Sequence, residues 1–196
     1  MKKKKFFTIL ITIIFVLILL FAIFYKNMFN SVNIGHNNSS QEIVDNILNI
    51  SSYKVIIEVK IEGNKNQNQY KIKQEYVSPS QNSQEVLEPS NIKGTTITRE
   101  NDKLIIENTQ LNLSSIIDNY SYISDNNLDL SSFVSDYKKD KKAYFEEKDE
   151  IILHTNLTIK KSLYIDKRTG MPTKMEIIDT NKSNKVYILY NEVEIN

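Results

Sequence analysis

The alternation of apolar and polar positions divides this chain into three regimes. The first is unbroken: Phe6–Tyr25 holds about twenty residues without a charge. A helix of that length, at roughly 1.5 Å per residue, spans roughly 30 Å, the thickness of a bilayer's hydrocarbon. Lys2 to Lys5 precede it and Lys26 follows. The excess of lysine on the N-terminal side expects a cytoplasmic N-terminus and an extracytoplasmic remainder. A cleaved signal would need a shorter core and small residues at its end, where this chain has Phe21-Ala22-Ile23-Phe24-Tyr25. A buried core helix rarely stays apolar on all sides for so long. Residues 1–26 are therefore expected to be a basic flank and a single-pass anchor. Residues 27–38, polar and without period, read as a tether.

The second regime has a helical period. Ser39 can cap a first turn while Glu42 reaches back to it, and Ile43, Val44, Ile47, Leu48 and Ile50 form one apolar stripe. Such a short helix is marginal alone, so it must lay that stripe on something.

From Tyr53 the period is two. Tyr53, Val55, Ile57, Val59 and Ile61 alternate with Lys54, Glu58, Lys60 and Glu62, a strand with one wet face. Gly63–Asn66 turns the chain into a return strand on Tyr70, Ile72 and Tyr76, which Pro79 ends. Short strands are expected at Glu85–Leu87, Thr95–Arg99 and Leu104–Glu107. Leu111–Ser124 shows no clean period and reads as loop or short strand. Leu130, Phe133, Val134 and Tyr137 predict a second helix capped by Asn127 or Asp129, with lysines suiting its C-terminal dipole. Lys138–Lys142 reads as the solvated end of that helix. Strand signals resume at Tyr144–Phe145, Ile151–His154, Ile159–Asp166, Lys174–Asp179 and Val186–Ile195. Short connections between successive strands require antiparallel neighbours. The fold class is mainly β (α+β): a curved antiparallel sheet, or incomplete barrel, over residues 39–196, covered by two helices.

Charge adds little. Lysines 2–5 and 26 set aside, the remainder carries 20 bases against 24 acids, a net of −4. No basic face for a nucleic-acid partner is indicated. With no cysteine there is no disulfide, thiol chemistry or acylation site, and the domain must be held by its core.

Candidate chemistry is sparse. Of two histidines, His36 falls in the tether and His154 in a strand. No His-x-His or Glu-x-x-His pair exists, so neither a metal site nor a cofactor is expected. A Ser–His–acid arrangement would have to use His154, and no nucleophile-elbow motif accompanies any serine. The four glycines are isolated and cannot cradle a phosphate; Glu146 with Glu147 read as solvated charges. No catalytic residue is assigned and no enzyme activity is expected. The chain has 11 tyrosines, ten of them spread through the predicted domain. Such residues either fill a sheet core or, facing outward, form a contact surface.

Two stretches complete a resemblance that the helix-into-strand run Ile43–Ile61 begins. Val86-Leu87-Glu88-Pro89, then Lys93-Gly94, then Asn101-Asp102-Lys103-Leu104, resembles the "E-x-x-x-P … G … dG-x-x-l" run of the LolA-like extracytoplasmic family. Tyr164-Ile165-Asp166-Lys167-Arg168-Thr169-Gly170-Met171-Pro172-Thr173-Lys174-Met175 resembles that family's "y-i-D-x-x-T-G-l-P-x-k" hairpin. Within the fold group the chain is most similar to the GerS-like germination lipoproteins of clostridia. The resemblance implies a half-barrel without catalysis. It also implies a protein partner, a spore-cortex N-acetylmuramoyl-alanine amidase, for a membrane-anchored sporulation or germination accessory. The alternative it implies is a lipid or lipoprotein binder using the half-barrel cavity. This chain departs from the pattern in having no cysteine to acylate, and in carrying Ser83 and Gln84 where carriers have an arginine. An envelope-stress sensor of the same fold would need a longer cytoplasmic tail than Met1–Lys5.

Overall fold

The computed structural model describes residues 39–63, 67–78, 81–100, 103–117, 128–179 and 184–196. The expected anchor Phe6–Tyr25, the tether, Pro79, Asn127, Tyr120 and Tyr122 lie outside the described residues. Among the described residues no helix is long and apolar enough to cross a membrane.

Among the described residues, eleven strands form one antiparallel sheet. Strand β1 (Ser52–Glu62), β2 (Gln67–Val77), β3 (Gln81–Glu88), β4 (Thr96–Glu100), β5 (Lys103–Asn108) and β6 (Leu113–Ile117) step outward in chain order. The chain then crosses to the other end of the sheet. There β7 (Tyr144–Glu147), β8 (Ile151–His154), β9 (Ile159–Ile165), β10 (Pro172–Asp179) and β11 (Asn184–Ile195) step back inward until β11 pairs with β1. First and last strands thus meet at the centre, Tyr53 opposite Ile195 and Val59 opposite Ile188. Irregularities of register at Val55/Ile57, Lys71/Ile72 and Pro172/Lys174 supply the local bends that a sheet this wide needs.

Helix α1 (Ser40–Leu48) begins with the expected capping box: the Glu42 amide donates to the Ser39 hydroxyl and the Ser39 amide to the Glu42 carboxylate. Its stripe Ile43, Val44 and Ile47 is buried. Helix α2 (Leu130–Lys139) follows the crossing and buries Leu130 and Phe133. Both helices lie on one face of the sheet, and the core forms between them and the inward side chains of β1 and β8–β11, with Ile72 of β2. Each large apolar side chain so buried contributes roughly 1.5–3 kcal/mol, which compensates for the missing disulfides.

Two expectations need correction. The strand expected at Glu85–Leu87 begins four residues earlier, at Gln81. Its inward positions Asn82 and Gln84 are polar, which removes the apolar alternation that would have revealed it. Asp129 does stand at the N-cap position of α2, but its carboxylate makes no capping bond; the sheet holds it instead. The uncertain stretch after Leu111 contributes β6.

Candidate functional site

Asp129 is fully buried and is the hub of a polar seam between α2 and the sheet. Asn82 Nδ2 donates to Asp129 Oδ2 at 2.7 Å and Gln84 Nε2 to Oδ1 at 2.5 Å. Arg99 Nη2 stands 3.8 Å from the same carboxylate, and the Gln74 amide reaches the Leu128 carbonyl at 3.4 Å. Burial pushes the Asp129 carboxyl up to about 6, against the lowering effects of Arg99 and the two amides. The same burial, with the Asp129 charge nearby, pushes the Tyr53 and Tyr190 phenols well above the ordinary range. The seam clamps α2 onto β2–β4. Next to it, the space enclosed by Ile50, Tyr53, Tyr76, Ser131 and Val134 is about 40 Å³. That holds about one water, not an acyl chain.

The other face of the sheet is wet. Of the tyrosines, Tyr53, Tyr70, Tyr76, Tyr137 and Tyr190 belong to or pack against the core. Strand parity turns Tyr144, Tyr164 and Tyr187 outward. Near the β7 edge, half-exposed Tyr144 stacks on His154 with ring centroids 4.9 Å apart. Lys174 Nζ sits 3.9 Å above the Tyr164 ring. Further along, a groove of about 580 Å³ crosses β10, β11, β1 and β2. Tyr187 and Leu189 line it from β11, Glu58 and Lys60 from β1, Gln69 and Lys71 from β2, with Glu88 and Lys174 at either side.

His154 sits in a Ser–His–acid grouping. Its Nδ1 is 2.9 Å from Ser162 Oγ, and its Nε2 is 3.8 Å from Glu146 Oε1. Burial lowers the imidazole pKa, only partly offset by Glu146. Ser162 lies directly opposite His154 in the β8–β9 ladder, and β9 is paired on its other side with β10. Backbone N–H groups committed to two ladders are not free to converge on an oxyanion, which acyl transfer from this serine would require. Glu147 lies 3.1 Å from Lys167 in a surface pair. Among the described residues no three His, Asp or Glu side chains group as a metal site.

Sequence reasoning did not anticipate the Asp129 seam. Its one signal was parity: Gln74, Asn82 and Gln84 share the face of Ile72 and Val86.

Comparison with known proteins places this geometry. Residues 4–196 match a family model described as sporulation protein YdcC-like. No curated protein matches. Among solved structures, an uncharacterized conserved protein from Thermus thermophilus is 12% identical, with a TM-score of 0.50, covering 81% of this chain and 88% of that one. A LolA superfamily protein from Nitrosomonas europaea is 11% identical, with a TM-score of 0.43 over 81% of this chain and 94% of that one. A chain from the structure of the Clostridioides difficile CwlD amidase in complex with the GerS lipoprotein is 20% identical. Its TM-score is 0.43, over 82% of this chain and 95% of that chain.

Proposed function

This chain belongs to the YdcC-like sporulation protein family, and from that membership we propose that it is a non-enzymatic accessory protein of sporulation or germination. It binds an envelope N-acetylmuramoyl-alanine amidase and supports its activity. The observation that carries the reading is the match of residues 4–196, almost the whole chain, to a sporulation family. The partner class comes from the likeness of the chain, within the LolA-like fold group, to GerS-like lipoproteins, GerS itself having been seen in complex with an amidase.

In this reading Phe6–Tyr25 anchors the chain in the cytoplasmic membrane with its C-terminal domain outside. Tethering raises the local concentration of the partner at that surface. The partner docks on the outer face near the β7 edge, where Tyr144, His154 and Tyr164 offer the aromatic surface that interfaces favour.

The test is affinity capture from sporulating cells with the tagged full-length chain, identifying bound proteins and assaying the eluate for amidase activity. An amidase recovered with the native chain and lost with Tyr144→Arg supports the reading. Recovery of lipid without protein sinks it, and so does equal amidase recovery with Tyr144→Arg for the docking face.

A further inference from the structure

We propose that the outer-face groove across β10, β11, β1 and β2 binds a short stretch of an uncharged, hydroxyl-rich glycan. This goes beyond the accessory role and does not depend on it.

The argument starts from register. Five positions lie in one row across the strands, Glu88, Lys71, Glu58, Leu189 and Lys174, each opposite the next. Beside them runs a second row in which Lys60 is opposite Tyr187 and Tyr187 opposite Glu176. Charges alternate in sign along both rows, and Lys60, Lys174 and Glu176 are held in ion pairs. Lys60 lies 2.6 Å from Glu62, Lys174 2.8 Å from Glu176, and Glu58 accepts from Asn191 at 3.1 Å. The groove therefore has little net field but many hydrogen-bonding ends, since a paired ammonium keeps donors to spare.

That chemistry selects among ligands. A polyanion would meet Glu58 and Glu88. An acyl chain would strip water from ionised ends without replacing their hydrogen bonds, which is costly. A pyranose ring satisfies both parts of the site. Its C–H face can lie on Tyr187 and Leu189, while its hydroxyls reach Lys71, Gln69 and Glu58. Leu189 is 47% exposed, so the apolar floor is open to a ligand. The volume, about 580 Å³, falls in the range of small-ligand sites. Neighbouring strands are about 4.8 Å apart, so the rows repeat polar groups at that interval along an extended polymer lying across them.

The experiment uses the full-length chain in detergent micelles and N-acetylglucosamine tetramer as the probe, read by saturation-transfer NMR and titration calorimetry. Transfer to the sugar ring protons is expected. Tyr187→Ala should weaken binding by about tenfold, as loss of a stacking ring does, and Tyr187→Phe should retain it. Lys71→Ala, a surface change that leaves the core alone, should weaken binding severalfold with an unchanged melting temperature. Binding should also survive about 1 M salt, where screening falls to about 3 Å. Absence of saturation transfer overturns the proposal. Unchanged affinity in both Tyr187→Ala and Lys71→Ala, collapse of binding in salt, or displacement of the sugar by a short apolar peptide overturns it as well. Amidase capture is read independently through Tyr144→Arg, so failure of either idea is distinguishable from failure of the other.

Discussion

Lys161 crosses the interface between sheet and helix to meet Asp136: its Nζ lies 2.6 Å from the Asp136 carboxylate with 1% of the lysine side chain exposed. A second bond, to Ser132 Oγ at 3.3 Å, comes from the same helix. Strand β9, third from the β7 edge, and α2 are thereby joined by an ion pair whose lysine end is buried while 22% of the Asp136 side chain stays exposed.

Breaking that pair from the helix side strands a buried ammonium. Asp136→Ala is expected to cost about 3–5 kcal/mol, whereas Lys161→Met, which removes the charge and keeps the bulk, should cost far less. Urea melts of the two variants decide it; a loss below about 1 kcal/mol for Asp136→Ala would show that Lys161 finds water or another acceptor.

Asp129 makes stability depend on pH in an unusual direction. Its carboxyl is raised from the ordinary 3.8 to about 6, by burial first of all. The folded state therefore holds this proton more tightly than the unfolded chain. The contribution is fully present below about pH 4, falls as pH rises toward 6, and is flat above, a span on the order of 3 kcal/mol. Arg99, Tyr53, Tyr190 and Lys161 are the other titratable groups that influence the seam. Glu75 and Asp166, whose pKa values are lowered by Lys73 and by the Thr169 backbone amide, act in the opposite sense. The informative quantity is thus the difference between native protein and Asp129→Asn, whose neighbouring amides can turn to meet the new side chain. That difference should change with a slope between pH 4 and 6; a flat difference would mean Asp129 stays ionised.

Gly170 turns the β9–β10 hairpin at φ +70°, donating its amide to the Asp166 carbonyl at 2.8 Å. Asp166 Oδ1 in turn accepts from the Thr169 amide at 2.7 Å and its hydroxyl at 3.0 Å. A Cβ is strained in this region of backbone space, so Gly170→Ala should cost about 1 kcal/mol, with Gly170→Asn milder. Thermal melts should show a drop of about 2–4 °C for the alanine variant; no drop would mean that the turn relaxes to negative φ.

Much of this fold was legible in local patterns. Strand β1 alternates because every second side chain meets the core, and Ser39 with Glu42 marks the start of α1 because first-turn amides need acceptors. Buried Lys161 was also within reach, since it shares parity with Leu163 and Ile165 while Lys160 faces water. Strand β3 was half hidden, because the positions that would have announced it are the amides of Asn82 and Gln84. A buried amide looks like a surface residue until its partner is known, and here the partner is 45 or 47 residues away. The outer face was hidden for another reason: parity shows which tyrosines share a side, but not which side is covered.

The sequence by itself determined the element types, the two hairpin-rich halves and the helices that must cover something, because periodicity and turn chemistry act over a few residues. Only the tertiary structure decided that β11 closes on β1. It brings the Ser51 hydroxyl to the Asn196 carbonyl, 145 residues apart. It also decided that the chain passes from β6 at one end of the sheet to β7 at the other, and that Asp129 is clamped by the sheet instead of capping its own helix. Those outcomes depend on which edges and polar groups remain unsatisfied once the local elements have formed, and no short stretch of chain contains that information.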